Sequence, residues 1–206
     1  MKKICIAIGS RANYSSIKSV LEEIKKKPQA FKLQIVVFAS ALIEKYGDVR
    51  LKLKNDGFKI DAEVFCLLEG TNPQNMAKST GIALLELPTV FSRLNPDFIL
   101  TIGDRFETMA TSVAASYMNI ILVHTMGGEI SGTIDESIRH SITKLSHLHF
   151  AANKTAASNI KKLGEYSNSV FNVGCPRVDQ VSKILKTKKD DSTYKIINEI
   201  GVGFKI

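Results

Sequence analysis

The residues best suited to chemistry are Asp104, Arg105, His124, Glu129 and Asp135, all within the stretch Asp97 to His140. Carboxylates exchange protons, a guanidinium binds an anion, and an imidazole can do either. Such a set suits proton transfer coupled to expulsion of an anionic leaving group. Earlier in the chain Ser10, Arg11 and Ser15 form a smaller group, where hydroxyls and an arginine near a helix start favour an anion. Each residue also has a plainer reading. Ser10, Asn13 or Ser15 can cap the helix, and Asp104 can cap the one that follows it. Asp135 can cap, or pair with Arg139 at i+4. Glu129 can be a solvated loop residue and His124 a satisfied, partly buried one.

Other chemistries are disfavoured. No GxGxxG follows the first apolar run and no Walker lysine is present, which argues against ordinary dinucleotide or P-loop use. There is no HExxH. His140, His147 and His149 are close in sequence, but no cysteine or carboxylate set completes a metal site around them.

The elements that must position these residues are legible in the apolar pattern. Two short runs, Phe98–Ile102 and Ile120–Val123, end in Gly103-Asp104-Arg105 and in His124, Gly127, Gly128 and Glu129. Between them Phe106, Met109, Ala110, Val113, Ala114 and Tyr117 fall on one face of a 3.6-period helix. Strand, helix, strand is a right-handed βαβ unit with parallel strands. Ligands of open parallel sheets sit beyond the carboxyl ends of the strands, where these side chains are.

The same reading places strands at Lys3–Ile8, Leu33–Phe38, Glu63–Leu68, Leu148–Ala151 and Ser169–Val173. Ile17, Val20, Leu21 and Ile24 mark a first helix. Ala41–Asn55 reads as mostly helical but broken at Gly47, and Asn75–Leu94 as a helix that Pro88 ends or kinks. Ile134, Ile138, Ile142 and Leu145 stripe another, Lys154–Leu163 is a further helix, and Pro176 opens one that runs to about Lys186. The fold class is α/β, a Rossmann-like parallel sheet with helices on both faces. Residues 187–206 begin with the linker-like TKKDDSTY and then resemble the start of another unit, so a domain over 1–186 followed by a truncated second domain is expected.

The chain has 206 residues and 44% apolar content, ordinary for a globular protein. No run approaches the roughly 20 apolar residues of a membrane span, and the five-residue run near the N-terminus reads as a strand, not a signal peptide. The net charge of +8 is mostly dispersed lysine without a nucleic-acid-binding motif. No nucleic-acid or membrane partner is expected, although a mild positive field attracts a diphosphate. Cys5, Cys66 and Cys175 form no CxxC and read as reduced thiols of a cytoplasmic protein.

SRANYSSI at 10–17, GDRFE at 103–107, GGEISGTIDESIRHSITKLSHLHF at 127–150 and GCPRVD at 174–179 resemble the N-terminal half of the hydrolysing UDP-N-acetylglucosamine 2-epimerases, in the branch that feeds sialic and legionaminic acid synthesis. The resemblance implies a GT-B-like architecture of two Rossmann-like domains and the conversion of UDP-GlcNAc and water to N-acetylmannosamine and UDP. It implies no metal or organic cofactor, and a homodimer. By match to the family motif, Asp104 and Asp135 are catalytic carboxylates, and Arg11, Ser15 and Arg105 contact UDP. Two positions depart from the pattern. Related animal-type enzymes carry a catalytic glutamate where this chain has Met126, leaving Glu129 or His124 to supply the function. Asn13 stands where related sequences often have aspartate.

Overall fold

Strand β1 (Lys2–Ile8) is an apolar run whose last four residues are buried, as expected of a strand covered on both faces. It is the third strand, next to the central one, of a seven-stranded sheet in a computed structural model that describes residues 1–70 and 72–186. The segment expected to be a linker and second-domain start, 187–206, lies outside the described residues. The remaining strands are β2 (Phe31–Phe38), β3 (Ala62–Val64), β4 (Phe98–Ile102), β5 (Ile121–Thr125), β6 (Leu148–Ala151) and β7 (Val170–Asn172). All pairings are parallel, in the order β3-β2-β1-β4-β5-β6-β7. The chain winds outward from β1 on one side and from β4 on the other, so the strand order reverses between them.

Strand alternation sends side chains to two cores. On one face Cys5, Ala7, Val36, Phe38, Ile99 and Leu122 meet α3 (Pro73–Leu94) and α4 (Phe106–Tyr117) through Leu87, Phe91, Ala110 and Ala114. On the other, Ile6, Ile8, Ile35, Val37, Leu100 and Val123 meet α1 (Arg11–Lys25) and α2 (Val49–Asn55) through Ile17, Leu21 and Leu53. The helices α5 (Ile134–Leu145), α6 (Lys154–Lys162) and α7 (Pro176–Lys186) complete the layers. The Rossmann-like class is the one observed.

Some elements differ from the sequence reading. Ala41–Asn55 is two 3-10 turns, Ala39–Leu42 and Glu44–Tyr46, before α2 begins after Gly47 at φ 88°. The third strand shrinks to Ala62–Val64, since as the sheet edge it has one partner only. Helix α3 starts earlier, at Pro73 with an Asn72 cap, and runs through Pro88 to an αL stop at Asn95. Ala83, Leu87 and Phe91 form a buried stripe on both sides of that proline, and this packing outweighs the one lost backbone hydrogen bond. No described helix is long and apolar enough to cross a membrane.

Candidate active-site crevice

The turn after β1 is built by two side chains. Ser10 caps α1 by accepting from Asn13 N–H at 3.1 Å. Asn13 is buried, accepts from Gly9 N–H at 3.2 Å through Oδ1, and donates to the Ile102 carbonyl at 3.2 Å through Nδ2. It thereby ties the end of β1 to the end of β4. An aspartate has the acceptor but, when ionised, no proton for Ile102, which gives the asparagine here a structural reason. Arg11 is exposed on the first turn. Ser15 donates to the Ala12 carbonyl at 3.0 Å and faces a separate shallow pocket shared with Arg11, Tyr14, Lys18 and Lys52.

At the end of β4, Gly103 takes φ +76° and turns the chain towards α4, a conformation that glycine adopts without steric cost. Asp104 does not cap α4, whose N-cap is Arg105 without a side-chain bond. Its carboxylate instead takes the Nη2 of Arg139, a nearly buried arginine from α5. Arg139 does not pair with Asp135. Its Nη1 donates to the Glu129 carbonyl, so one guanidinium holds the strand-four acid and the loop after β5 together.

His124, expected among the substrate contacts, has no exposed surface. Its Nε2 lies 2.9 Å from the Gly103 carbonyl, which can only accept, so that nitrogen carries the proton in the neutral ring. Nδ1 faces the Thr143 hydroxyl at 3.3 Å. Burial pushes the imidazole pKa down to about 4, against the Gly103 hydrogen bond, which raises it. His124 therefore steadies the backbone beside Asp104 as a neutral ring.

The glycine-rich loop after β5 is shaped by close contacts. A Cβ on Gly128 would lie 2.2 Å from the Ala156 carbonyl oxygen, so no side chain fits. Met126 adopts φ 63°, a left-handed conformation that costs a non-glycine residue roughly 1–2 kcal/mol. Such strain tends to sit at functional positions. Glu136, in the first turn of α5, accepts from Ser131 and Gly132 N–H at 2.6 Å each. With Glu136 holding the loop, Asp135 is exposed and has no hydrogen bond or ion pair among the described residues. Its charge adds to the upward push on the buried Glu107 carboxyl pKa.

These elements converge on two adjoining spaces. A crevice of about 150 Å³ is lined by Asp104, Arg105, Met126, Glu129 and Arg177 beside Asn13. A larger cleft of about 580 Å³ carries Ser10, Arg11, Lys45 and Arg105 against Leu68 and Phe106. Of the residues singled out from sequence, Asp104, Arg105 and Glu129 meet in the crevice, and Arg11 and Arg105 in the cleft. Asp135 lines neither space, Ser15 faces the separate pocket, and His124 is buried beneath. Three residues were missed. Arg139 was weighed only as a partner of Asp135. Arg177 arrives from the first turn of α7, and its presence inside GCPRVD was the available signal. Glu107 is 1% exposed, its Oε2 3.1 Å from Arg105 Nε. Burial pushes its carboxyl pKa up, opposed by the Arg105 charge.

The sequence profile of the UDP-N-acetylglucosamine 2-epimerases matches residues 22–203. The chain is 35% identical over 190 residues to a UDP-N,N'-diacetylbacillosamine 2-epimerase (hydrolyzing) of Legionella pneumophila, covering 92% of this chain and 50% of that protein. It is 34% identical over 174 residues to a GDP/UDP-N,N'-diacetylbacillosamine 2-epimerase (hydrolyzing) of Campylobacter jejuni, covering 84% and 45%. The chain thus spans about half the length of the curated relatives it matches. Among solved structures, the UDP-GlcNAc 2-epimerase of Neisseria meningitidis bound to UDP-GlcNAc superposes with a TM-score of 0.79 at 21% identity, over 96% of this chain and 53% of that one. That likeness shows a shared fold, corresponding to one half of a GT-B-like molecule. With a profile match over most of its length and a crevice of carboxylates and arginines at the sheet's switch point, the chain belongs to the UDP-N-acetylglucosamine 2-epimerase family.

Proposed function

We infer that this chain supplies the acid–base half of a hydrolysing 2-epimerase, which converts UDP-GlcNAc and water to N-acetylmannosamine and UDP for sialic-acid-type sugar synthesis. The observation that carries the reading is the crevice in which Asp104, clamped by Arg139, faces Glu129 and Arg105. The C2 proton has no adjacent carbonyl to acidify it, so its removal must accompany departure of UDP from C1. A carboxylate takes that proton as the C1–O bond breaks and its electron pair leaves with UDP, giving a 2-acetamidoglucal. Water then adds its oxygen to C1, and a proton returns to C2 on the opposite face. Two faces require more than one acid–base group. Asp104 and Asp135 are the catalytic carboxylates in this reading. Glu129 stands in for the glutamate that Met126 replaces. Arg11 and Arg105 receive the diphosphate in the cleft they share, which Ser15 does not line, and His124 acts on the substrate side only through Gly103. No metal or organic cofactor enters. The free cysteines suit a reducing cytoplasm, and a homodimer is the assembly light scattering should find.

A second reading keeps the chemistry and changes the sugar. It is favoured by the names of the Legionella and Campylobacter relatives, both of which refer to a diacetamido sugar. One experiment addresses both. The chain, alone and joined to the C-terminal half of the Legionella relative, is given UDP-GlcNAc or UDP-N,N'-diacetylbacillosamine in deuterated water, and NMR follows the products. Free UDP with a C2-deuterated, inverted sugar supports the reading and names the preferred sugar. Binding of UDP with no turnover of either sugar leaves a nucleotide-sugar-binding fragment and sinks the enzyme.

A further inference from the structure

Glu107 is the buried ionisable group at this site for which the acid–base reading has no use. It sits in the first turn of α4 and is 1% exposed. Oε2 accepts from Arg105 Nε at 3.1 Å, while Oε1 accepts no hydrogen bond from any described residue. A Cβ added to Gly9 would stand 2.8 Å from Glu107 Cβ and 3.2 Å from Phe38 Cζ. The acid is therefore wedged against the turn after β1 and the end of β2. Arg105, about half exposed, rests its guanidinium 5.7 Å from the Phe106 ring centroid and lines the large cleft with Ser10 and Arg11. Neither of its Nη nitrogens has a hydrogen-bond partner among the described residues.

A buried carboxylate oxygen without a donor costs stability. An amide or an apolar side chain of similar size fills such a place at lower cost, so the carboxylate needs another reason to be there. A hydrogen bond to Nε fixes the plane of a guanidinium and leaves the two Nη groups as a fork, the arrangement that binds phosphate oxygens bidentately. An arginine held this way loses little freedom when the anion arrives.

We propose that Glu107 is a positioning residue that aims the Arg105 fork into the large cleft, to receive the diphosphate of a nucleotide sugar. This rests on the nucleotide-sugar reading above. It also opposes simple electrostatics. Removing a negative charge beside Arg105 makes the cleft more positive, and charge alone would then tighten diphosphate binding. Positioning predicts the reverse.

The test uses the chain joined to the C-terminal half of the Legionella relative, with Glu107→Leu, which removes both charge and acceptor, and Glu107→Gln, which keeps an acceptor oxygen. Calorimetric titration with UDP should show binding weakened roughly tenfold in Glu107→Leu and less in Glu107→Gln, with Tm unchanged or raised by about 2–4 °C. In an Arg105→Ala background, Glu107→Leu should add nothing. The Arg105 Nε–H resonance, which needs no ligand, should be protected in the unsubstituted chain and in Glu107→Gln, and exchange-broadened in Glu107→Leu. UDP binding equal or tighter in Glu107→Leu overturns the proposal, as does an unprotected Nε–H in the unsubstituted chain. A protected Nε–H in a joined protein that does not bind UDP overturns instead the nucleotide reading, and with it the ligand assigned here. If Glu107→Leu does not fold, the Glu107→Gln titration and the resonance decide.

Discussion

The guanidinium of Arg139, from the middle of α5, closes on the carboxylate of Asp104 at the end of β4. Arg139 is 6% and Asp104 24% exposed, so the pair is desolvated on one side and open to the crevice on the other. Removing one partner of a mostly buried pair leaves an uncompensated charge. Arg139→Ala should therefore destabilise the chain by roughly 2–3 kcal/mol, discounted for the exposed side of Asp104. It should also free the Glu129 carbonyl. Urea denaturation checks the first point, and an unchanged midpoint would show the pair to be ornamental. Arg139→Lys should recover only part, because a lysine cannot span both acceptors with a planar fork.

Met126 and Glu129 line the same crevice, and they carry opposite predictions in the joined protein. If Glu129 supplies the acid–base group, Glu129→Gln should cut turnover by roughly 10²–10⁴, with little change in UDP binding. Met126→Glu should then soften that loss, since it places a second carboxylate at the rim. Turnover unaltered by Glu129→Gln would remove Glu129 from the mechanism and leave Asp104 and Asp135 alone.

Acid should loosen the fold through His124. Its folded pKa of about 4 lies below the ordinary 6.5, so the unfolded chain binds the proton more tightly. Stability is then full above pH 6.5 and falls as pH drops towards 4, by about 3 kcal/mol if this group acts alone. His149, whose pKa burial also lowers against the pull of Glu165, works in the same direction. Thermal melts from pH 7.5 to 4.5 should show this slope. His124→Gln, whose amide can still donate to Gly103, should flatten it; an equal slope in the variant would assign the effect elsewhere.

Local pattern made much of this fold readable. Phe98–Ile102 stands where its apolar run put it, covered on both faces. Phe106–Tyr117 is the expected helix, but its buried face runs through Thr108, Ala110, Thr111 and Ala114 and leaves Tyr117, expected on the apolar stripe, 87% exposed. The edge strand was overestimated at Glu63–Leu68, since apolar content does not tell how many partners a strand will find. At the site, strand ends announced Asp104, Arg105 and Glu129. The Arg139–Asp104 pair was hidden because it depends on how a loop folds back, and i+4 spacing offered Asp135 as a nearer partner. Arg177 was hidden by distance along the chain, since only the packing of α7 on α1 brings it to the crevice. His124 misled because a strand end aims residues at the ligand only when they lie past the last pairing, and His124 is still paired with Thr101 and His149.

Asn13 offers a test of the turn that joins the two halves of the sheet. Its amide accepts from Gly9 and donates to Ile102, and both partners are backbone groups that cannot exchange roles. Asn13→Asp preserves size and the Gly9 contact but sets a carboxylate oxygen against the Ile102 carbonyl. At pH 7 this should cost roughly 1–3 kcal/mol, the range for a buried polar group left facing the wrong partner. The introduced acid can regain the missing donor only by taking up a proton, so its folded pKa should rise above the ordinary 3.9. A raised acid contributes stability below its unfolded pKa and loses it as pH climbs through the folded one. The penalty measured by urea denaturation should therefore be largest at neutral pH and shrink towards pH 4, opposite in sign to the His124 effect. A penalty constant across that range would mean that the turn relaxes around the aspartate without needing the Ile102 hydrogen bond.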